Sequence, residues 1–172
     1  MGRRCLFLVL FCSQFSVAKE LSGWVGEWTG WCQSDNFNSE SSLPSLHMSL
    51  EIGEIDSENY SWKIQYEGEG VRDYKMTLQK DLEGHWLLDE GNGLLIDRFL
   101  SDGTLVDQFL INGKLFLNRT TLIKDKMKIE TISFWANQPR QTSLADGSNP
   151  IYSFSLRDQV VCELNRESQE PF

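Results

Sequence analysis

Polar and apolar residues alternate along most of the middle of this chain. Leu46, Met48, Leu50 and Ile52 alternate with His47, Ser49 and Glu51. Tyr60, Trp62, Ile64 and Tyr66 alternate with Ser61, Lys63, Gln65 and Glu67. Arg72, Tyr74, Met76 and Leu78 alternate with Asp73, Lys75, Thr77 and Gln79. A period of two belongs to strands with one covered and one wet face, because successive strand side chains point to opposite sides. β-branched and aromatic residues, which suit a pleated half-buried surface, are frequent in these runs. No segment carries a convincing helical period.

Turn signals fall between the runs: Gly68-Glu69-Gly70, Glu83-Gly84, Gly91-Asn92-Gly93, Asp102-Gly103 and Asn112-Gly113. Asp-Gly and Asn-Gly suit two-residue hairpins, whose central positions need positive φ. Connections this short join antiparallel neighbours. Leu46 to Trp135 thus reads as a continuous up-and-down meander. With segments near Trp24–Gln33 and Ile151–Leu164, about nine or ten strands are expected. Two polar stretches, Gln33–Ser45 and Ala136–Pro150, read as long loops.

An open meander would leave two edge strands unpaired, and pairing the first strand with the last removes both edges. Trp24, Gly26, Trp28, Gly30 and Cys32 share one parity, and so do Tyr152, Phe154, Leu156, Val160, Cys162 and Leu164. Both cysteines therefore fall on the apolar face. A disulfide needs its two Cα atoms within roughly 7 Å, so a Cys32–Cys162 bridge would bring the ends of the meander together. The fold class expected is all-β, a single antiparallel up-and-down meander closed into a barrel. A two-sheet sandwich with the same bridge is the rival.

The start of the chain decides the cysteine count. Met1-Gly2-Arg3-Arg4 is followed by an apolar run from Cys5 to Cys12 and then by Ser16-Val17-Ala18. This is the pattern of a secretory signal peptide cleaved after Ala18. The uncharged stretch from Cys5 to Ala18 is too short to span a bilayer, which takes roughly 20 apolar residues. Phe11 stands where a lipoprotein would need a small residue before Cys12. The expected organisation is a signal peptide over 1–18 and one barrel domain over 19–172, secreted, or periplasmic if the source is bacterial. Cleavage leaves Cys32 and Cys162, most simply a disulfide in an oxidising compartment. Two free buried thiols are the alternative. A bridge across so long a loop stabilises by about 5 kcal/mol in the chain-entropy model.

Net charge is −9 and becomes −11 when the two signal arginines leave. Such a surface repels nucleic acid and anionic membranes and favours solubility. The chain has no Cys-x-x-Cys and only two histidines, His47 and His85, so no zinc site is expected. No cofactor or phosphate-binding motif appears. The sequons Asn59-Tyr60-Ser61 and Asn118-Arg119-Thr120 matter only in a eukaryotic source.

Gly26-Glu27-Trp28, followed by Thr29-Gly30, resembles the Gly-x-Trp opening of the calycin superfamily, which includes lipocalins and fatty-acid-binding proteins. The resemblance implies a barrel around a central cavity for small apolar ligands. It also implies that Trp28 closes the barrel floor beneath an arginine from the last strand. Arg157 is the match, with Arg166 as the alternative. Arg72-Asp73-Tyr74 is similar to the second lipocalin motif but comes too early in the chain. Heme barrels with a like opening use a late histidine, and none follows His85 here.

Candidate chemistry is sparse, and no catalytic residue is assigned. Asp89 and Glu90 are adjacent, so on a strand they point to opposite faces. Asp97 and Asp107 flank the Ser101–Thr104 turn and could face each other, most simply as a solvated rim. Arg72 shares the inward parity of Tyr74 and Met76. A buried arginine there would seek an anionic partner, as a counter-ion for a ligand, whereas at a strand end it would reach water. Trp62, Tyr66, Tyr74, Met76, Trp86 and Phe109 are the expected lining. The leading reading is a secreted carrier of a small, mainly apolar ligand, with Arg72 as the counter-ion for an anionic group on it. A filled barrel acting as an interaction module, through its acidic surface or long loops, is the second reading. A barrel enzyme using Asp97 and Asp107 at the mouth is the third.

Overall fold

The computed structural model describes residues 20–37 and 44–168. The expected signal peptide, with Cys5 and Cys12, lies outside them. Ten strands run in sequence: β1 (Gly26–Asn36), β2 (Leu46–Asp56), β3 (Asn59–Tyr66), β4 (Arg72–Leu78), β5 (His85–Asp89), β6 (Leu95–Ser101), β7 (Thr104–Ile111), β8 (Lys114–Ile123), β9 (Lys126–Thr142) and β10 (Ile151–Arg166). Each pairs antiparallel with its sequence neighbour, and β1 pairs with β10 to close the barrel. The sandwich alternative is thereby excluded. The tight turns follow the sequence signals. Asp102 and Gly103 have φ of 48° and 70°, and Asn112 and Gly113 have 50° and 73°. Positive φ at both central residues matches the right-handed twist of the flanking strands.

The seam between β1 and β10 is held twice. Cys32 and Cys162 are direct cross-strand partners joined by a disulfide, with Cα atoms 3.9 Å apart. Free thiols are thus not the state of this pair. Two residues earlier, Gly30 lies so close to β10 that a Cβ there would sit 1.9 Å from the Glu163 carbonyl oxygen. Only glycine allows the strands to meet at that point.

One end of the barrel is closed by aromatic rings. A 3-10 turn over Ser22–Trp24 leads into β1. Trp28 is buried, and its Nε1–H donates to the Trp24 carbonyl at 2.9 Å. The Arg166 guanidinium lies 4.2 Å above the Trp28 ring and donates to the carbonyls of Gly23 and Val25. The arginine over the floor is therefore Arg166 and not Arg157. Nine residues of strand, roughly 30 Å at 3.3 Å each, put Arg157 at the opposite end. There it pairs with Asp158 and lies over Trp135 at 5.3 Å.

Above the floor the interior is packed. Leu50, Ile52, Tyr60, Met76, Trp86, Leu100, Leu105, Met127 and Leu164 are buried in one cluster. Tyr60 and Trp86 meet edge to face with centroids 5.6 Å apart, a favoured aromatic geometry. These positions alternate with outward-facing ones, mostly polar but including Phe99 and Val106, so the period of two in the sequence is the alternation between interior and outer face.

The expected loop Ala136–Pro150 is mostly strand. β9 continues to Thr142 and β10 begins at Ile151. β8 ends its pairing with β9 at Lys114↔Trp135, and β1 ends its pairing with β10 at Asn36↔Asp158. Beyond these limits β9 and β10 pair only with each other among the described residues. They form a two-stranded ribbon that projects from the mouth end. Its pairing is interrupted between Ser153 and Ser155, where residues 136–139 on β9 bulge around Pro139.

Candidate functional site

The mouth half of the interior is built differently from the floor. β6 presents Ile96, Arg98 and Leu100 inward, and β7 presents Leu105, Asp107 and Phe109. Arg98 and Asp107 are cross-strand partners. Both are buried, at 5% and 4% exposure. The Arg98 Nε–H donates to Asp107 Oδ2 at 2.8 Å. Asn118 Nδ2 donates to Asp107 Oδ1 at 2.6 Å, so both carboxylate oxygens are satisfied. The Arg98 guanidinium reaches the Thr120 hydroxyl at 3.4 Å and the Met76 sulfur at 4.0 Å, and lies 5.1 Å from the Trp62 ring centroid. Burial lowers the proton affinity of Arg98, while the Asp107 charge and hydrogen bond work against that. Guanidinium proton affinity is so high that the group stays charged. A buried ion pair holds only when its remaining donors and acceptors are matched.

Beside this cluster lies a cavity of about 140 Å³. Trp62, Tyr66, Tyr74 and Phe109 supply aromatic walls, and Arg98, Asp107, Asn118, Thr120, Thr131 and Glu90 supply polar ones. Burial raises the pKa of the Tyr66 and Tyr74 phenols above the ordinary value, so both stay neutral donors. The volume is below the roughly 300 Å³ usual for a drug-sized ligand. It is close to that of an engineered apolar cavity, about 150 Å³, that takes up benzene.

Of the lining residues expected from sequence, Trp62, Tyr66, Tyr74 and Phe109 face the cavity. Met76 and Trp86 are inward but belong to the packed core around it. Trp86 is the register partner of Arg98, and its buried Nε1–H has no hydrogen-bond partner among the described residues. Arg72 keeps the inward parity but sits at the first residue of β4, where the barrel opens. Its guanidinium is half exposed, bound to Glu69 at 2.5 Å and placed 5.3 Å from the Tyr66 ring. It is a rim residue and not the cation of the interior.

The acidic pair Asp97 and Asp107 does not converge. Asp97 points outward and accepts from His85 at 2.8 Å. Asp107 points inward. His85 is held on the outer face between Asp81 and Asp97 and stacks on Phe99 at 4.8 Å. His47, also outward, bonds the Thr29 hydroxyl at 3.0 Å. No group of three metal-ligating side chains occurs among the described residues. Of the sequon asparagines, Asn59 is tied to Asp56 and Thr77 at the surface. Asn118 points into the barrel, so a glycan on it is incompatible with this interior.

Sequence reasoning missed Arg98 and Asn118 as site residues. The signal for Arg98 was present. A two-residue turn at Asp102-Gly103 pairs Ser101 with Thr104, and counting back pairs Arg98 with Asp107.

No protein-family model matches the chain, and no curated protein sequence matches it. Among solved structures, the fold is similar to a protein of unknown function from the DUF3598 family of Nostoc punctiforme. The TM-score is 0.62 at 15% identity, covering 86% of this chain and 49% of that one. This chain thus spans about half the length of that protein. A variant of the fluorescent protein UnaG aligns with a TM-score of 0.49 at 14% identity, over 87% of this chain and 99% of that one. At such identities the DUF3598 likeness speaks for the fold alone.

Proposed function

We propose that this chain is a secreted, calycin-like barrel that binds a small, mainly apolar ligand in the mouth half of its interior. The observation that carries the reading is the cavity beside Trp62 and Phe109, with the Arg98–Asp107 pair in its wall. A barrel serving only as a scaffold has no need of a buried ion pair, since well-packed apolar residues do as well or better. The Gly26-Glu27-Trp28 opening and the stacking of Arg166 on Trp28 support the calycin-like reading. The Cys32–Cys162 bridge and the signal-like start support export.

The wall charges select the ligand. Arg98 is offset by Asp107, and Glu90 adds a further carboxylate. A carboxylate ligand would meet two acids and one arginine that is already engaged. A neutral polar group, such as a hydroxyl or an amide, fits better beside Asn118, Thr120 and Thr131. This replaces the anionic ligand group that an inward Arg72 would have suited.

Native mass spectrometry of the chain purified from its own source tests the reading, run beside a Thr131→Phe variant that fills the cavity. A small adduct on the parent that is lost in the variant supports it. A bare polypeptide mass in both, with no small neutral aromatic raising the unfolding temperature of the parent, refutes it.

A further inference from the structure

The projecting ribbon has two free edges, and they differ. On the β9 side, Pro139 removes a backbone donor and Arg140 adds a charge. Proline and charge are the usual guards against edge-to-edge pairing. On the β10 side, Ile151-Tyr152-Ser153-Phe154-Ser155-Leu156 carries neither. No residue from Gly147 to Leu156 is charged, in a chain whose net charge is −9. Tyr152, Phe154 and Leu156 alternate with serines along the strand and are exposed by 53%, 40% and 36%, and Ile151 is exposed by 55%. Among the described residues no strand lies along this edge beyond Asp158, apart from the bond from Phe37 N–H to the Arg157 carbonyl. A two-stranded ribbon with an open apolar face is marginal in water on its own.

We propose that the β10 edge from Tyr152 to Leu156 is a self-association surface, on which a second copy of this chain adds its own Tyr152–Leu156 strand antiparallel about a two-fold axis. The charge pattern selects a second copy. Like charge opposes contact between two such acidic chains over most of their surface, and this segment is where that opposition is absent. The sequence is also self-complementary. With Phe154 opposite Phe154 on the axis, Tyr152 faces Leu156 and Ser153 faces Ser155. Apolar thus meets apolar on one face and hydroxyl meets hydroxyl on the other, the cross-strand pairs that stabilise sheets. The contact is isologous and closes at two copies, because Pro139 and Arg140 guard the remaining edge. Each barrel mouth stays beside the joint and the Arg98 site is untouched, so this inference is independent of the ligand reading.

The test is sedimentation velocity on the full chain produced by an exporting host, from micromolar to millimolar concentration. A concentration-dependent dimer is expected. Phe154→Lys, which sets two ammonium groups face to face on the axis, returns it to monomer, and its unfolding midpoint equals that of the parent at dilutions where the parent is monomeric. Gln141→Lys on the guarded side leaves the dimer intact. Phe154→Cys cross-links across the axis under mild oxidation. A parent that stays monomeric throughout overturns the proposal, including one that instead floats with neutral lipid vesicles. A dimer that survives Phe154→Lys, or one that fails to cross-link through Phe154→Cys, overturns it as well.

Discussion

The two halves of the barrel interior use the same strands for opposite ends. Toward the floor, the inward residues Trp28, Ile52, Leu100, Leu105 and Leu164 are apolar, and the rings of Trp28, Tyr60 and Trp86 fill the space. Toward the mouth, the same parity on β6, β7 and β8 turns to Arg98, Asp107, Asn118 and Thr120, and a cavity opens beside them. The floor gains from burial of apolar area and close packing. The mouth half gives up part of that gain, since desolvating an ion pair costs several kcal/mol per ion before pairing returns it. That difference is the physical ground for setting the proposed ligand site at the mouth and the packed core at the floor.

The largest test of the contrast removes one member of the buried pair. Asp107→Ala leaves Arg98 buried without its partner and is expected to lower stability by about 3–5 kcal/mol. The double change Arg98→Met with Asp107→Leu is expected to recover most of that loss in urea unfolding. If the double variant is as unstable as the single one, the pair is a structural requirement and the contrast fails.

The next test compares packing on the two sides. Trp86→Ala in the filled floor is expected to cost about 3–5 kcal/mol. Phe109→Ala, beside space that is already open, is expected to cost less by about 2 kcal/mol. It should also enlarge the ligands accepted, read by calorimetric titration with neutral aromatics of increasing size. Equal losses at the two positions would show that both halves are equally packed.

A smaller effect separates the two arginines of β10. Arg166→Met removes the cation over the Trp28 ring and is expected to cost roughly 1–2 kcal/mol. Arg157→Met, at the partly exposed mouth, is expected to cost less than about 1 kcal/mol. Denaturant midpoints of the two variants order them directly.

The smallest effect is at the surface, outside both halves. The Asp81 and Asp97 hydrogen bonds raise the pKa of His85 above the ordinary imidazole value. A raised folded pKa stabilises below the unfolded value, about 6.5, and that contribution is lost as pH rises through the folded value. The melting-temperature gap between the parent and His85→Gln should therefore be widest in mild acid and narrow as pH rises. A gap that widens with pH would contradict the assignment. Asp81 has the opposite sign, since its lowered pKa gives a contribution lost only on further acidification.

The floor and the strand order were legible in the sequence because a period of two and short Gly-containing turns fix faces and neighbours together. The closing bridge was legible from the parity of Cys32 and Cys162. Other features were hidden for identifiable reasons. Arg98 stands between Ile96 and Leu100 on the inward parity, but its charge suggests a surface position, and Asp97 beside it was the acid compared with Asp107. Arg72 has the right parity and the wrong height, which alternation alone does not encode. The ribbon was hidden because Pro139 and the polar residues of 136–150 carry loop composition, whereas the pairing that makes strand there comes from Ile151–Ser153 across the hairpin.

The central claim is that the mouth half is a ligand site for a small neutral molecule and the floor half is closed core. An NMR titration with phenol and with benzoate, following the side-chain N–H signals of Arg98, Trp62, Trp28 and Trp86, tests it most directly. The account predicts saturable shifts at Arg98 and Trp62 with phenol, weaker shifts with benzoate, and a still Trp28. Benzoate binding more tightly than phenol would contradict the charge argument. No shift at Arg98 and Trp62 with either probe would contradict the site itself.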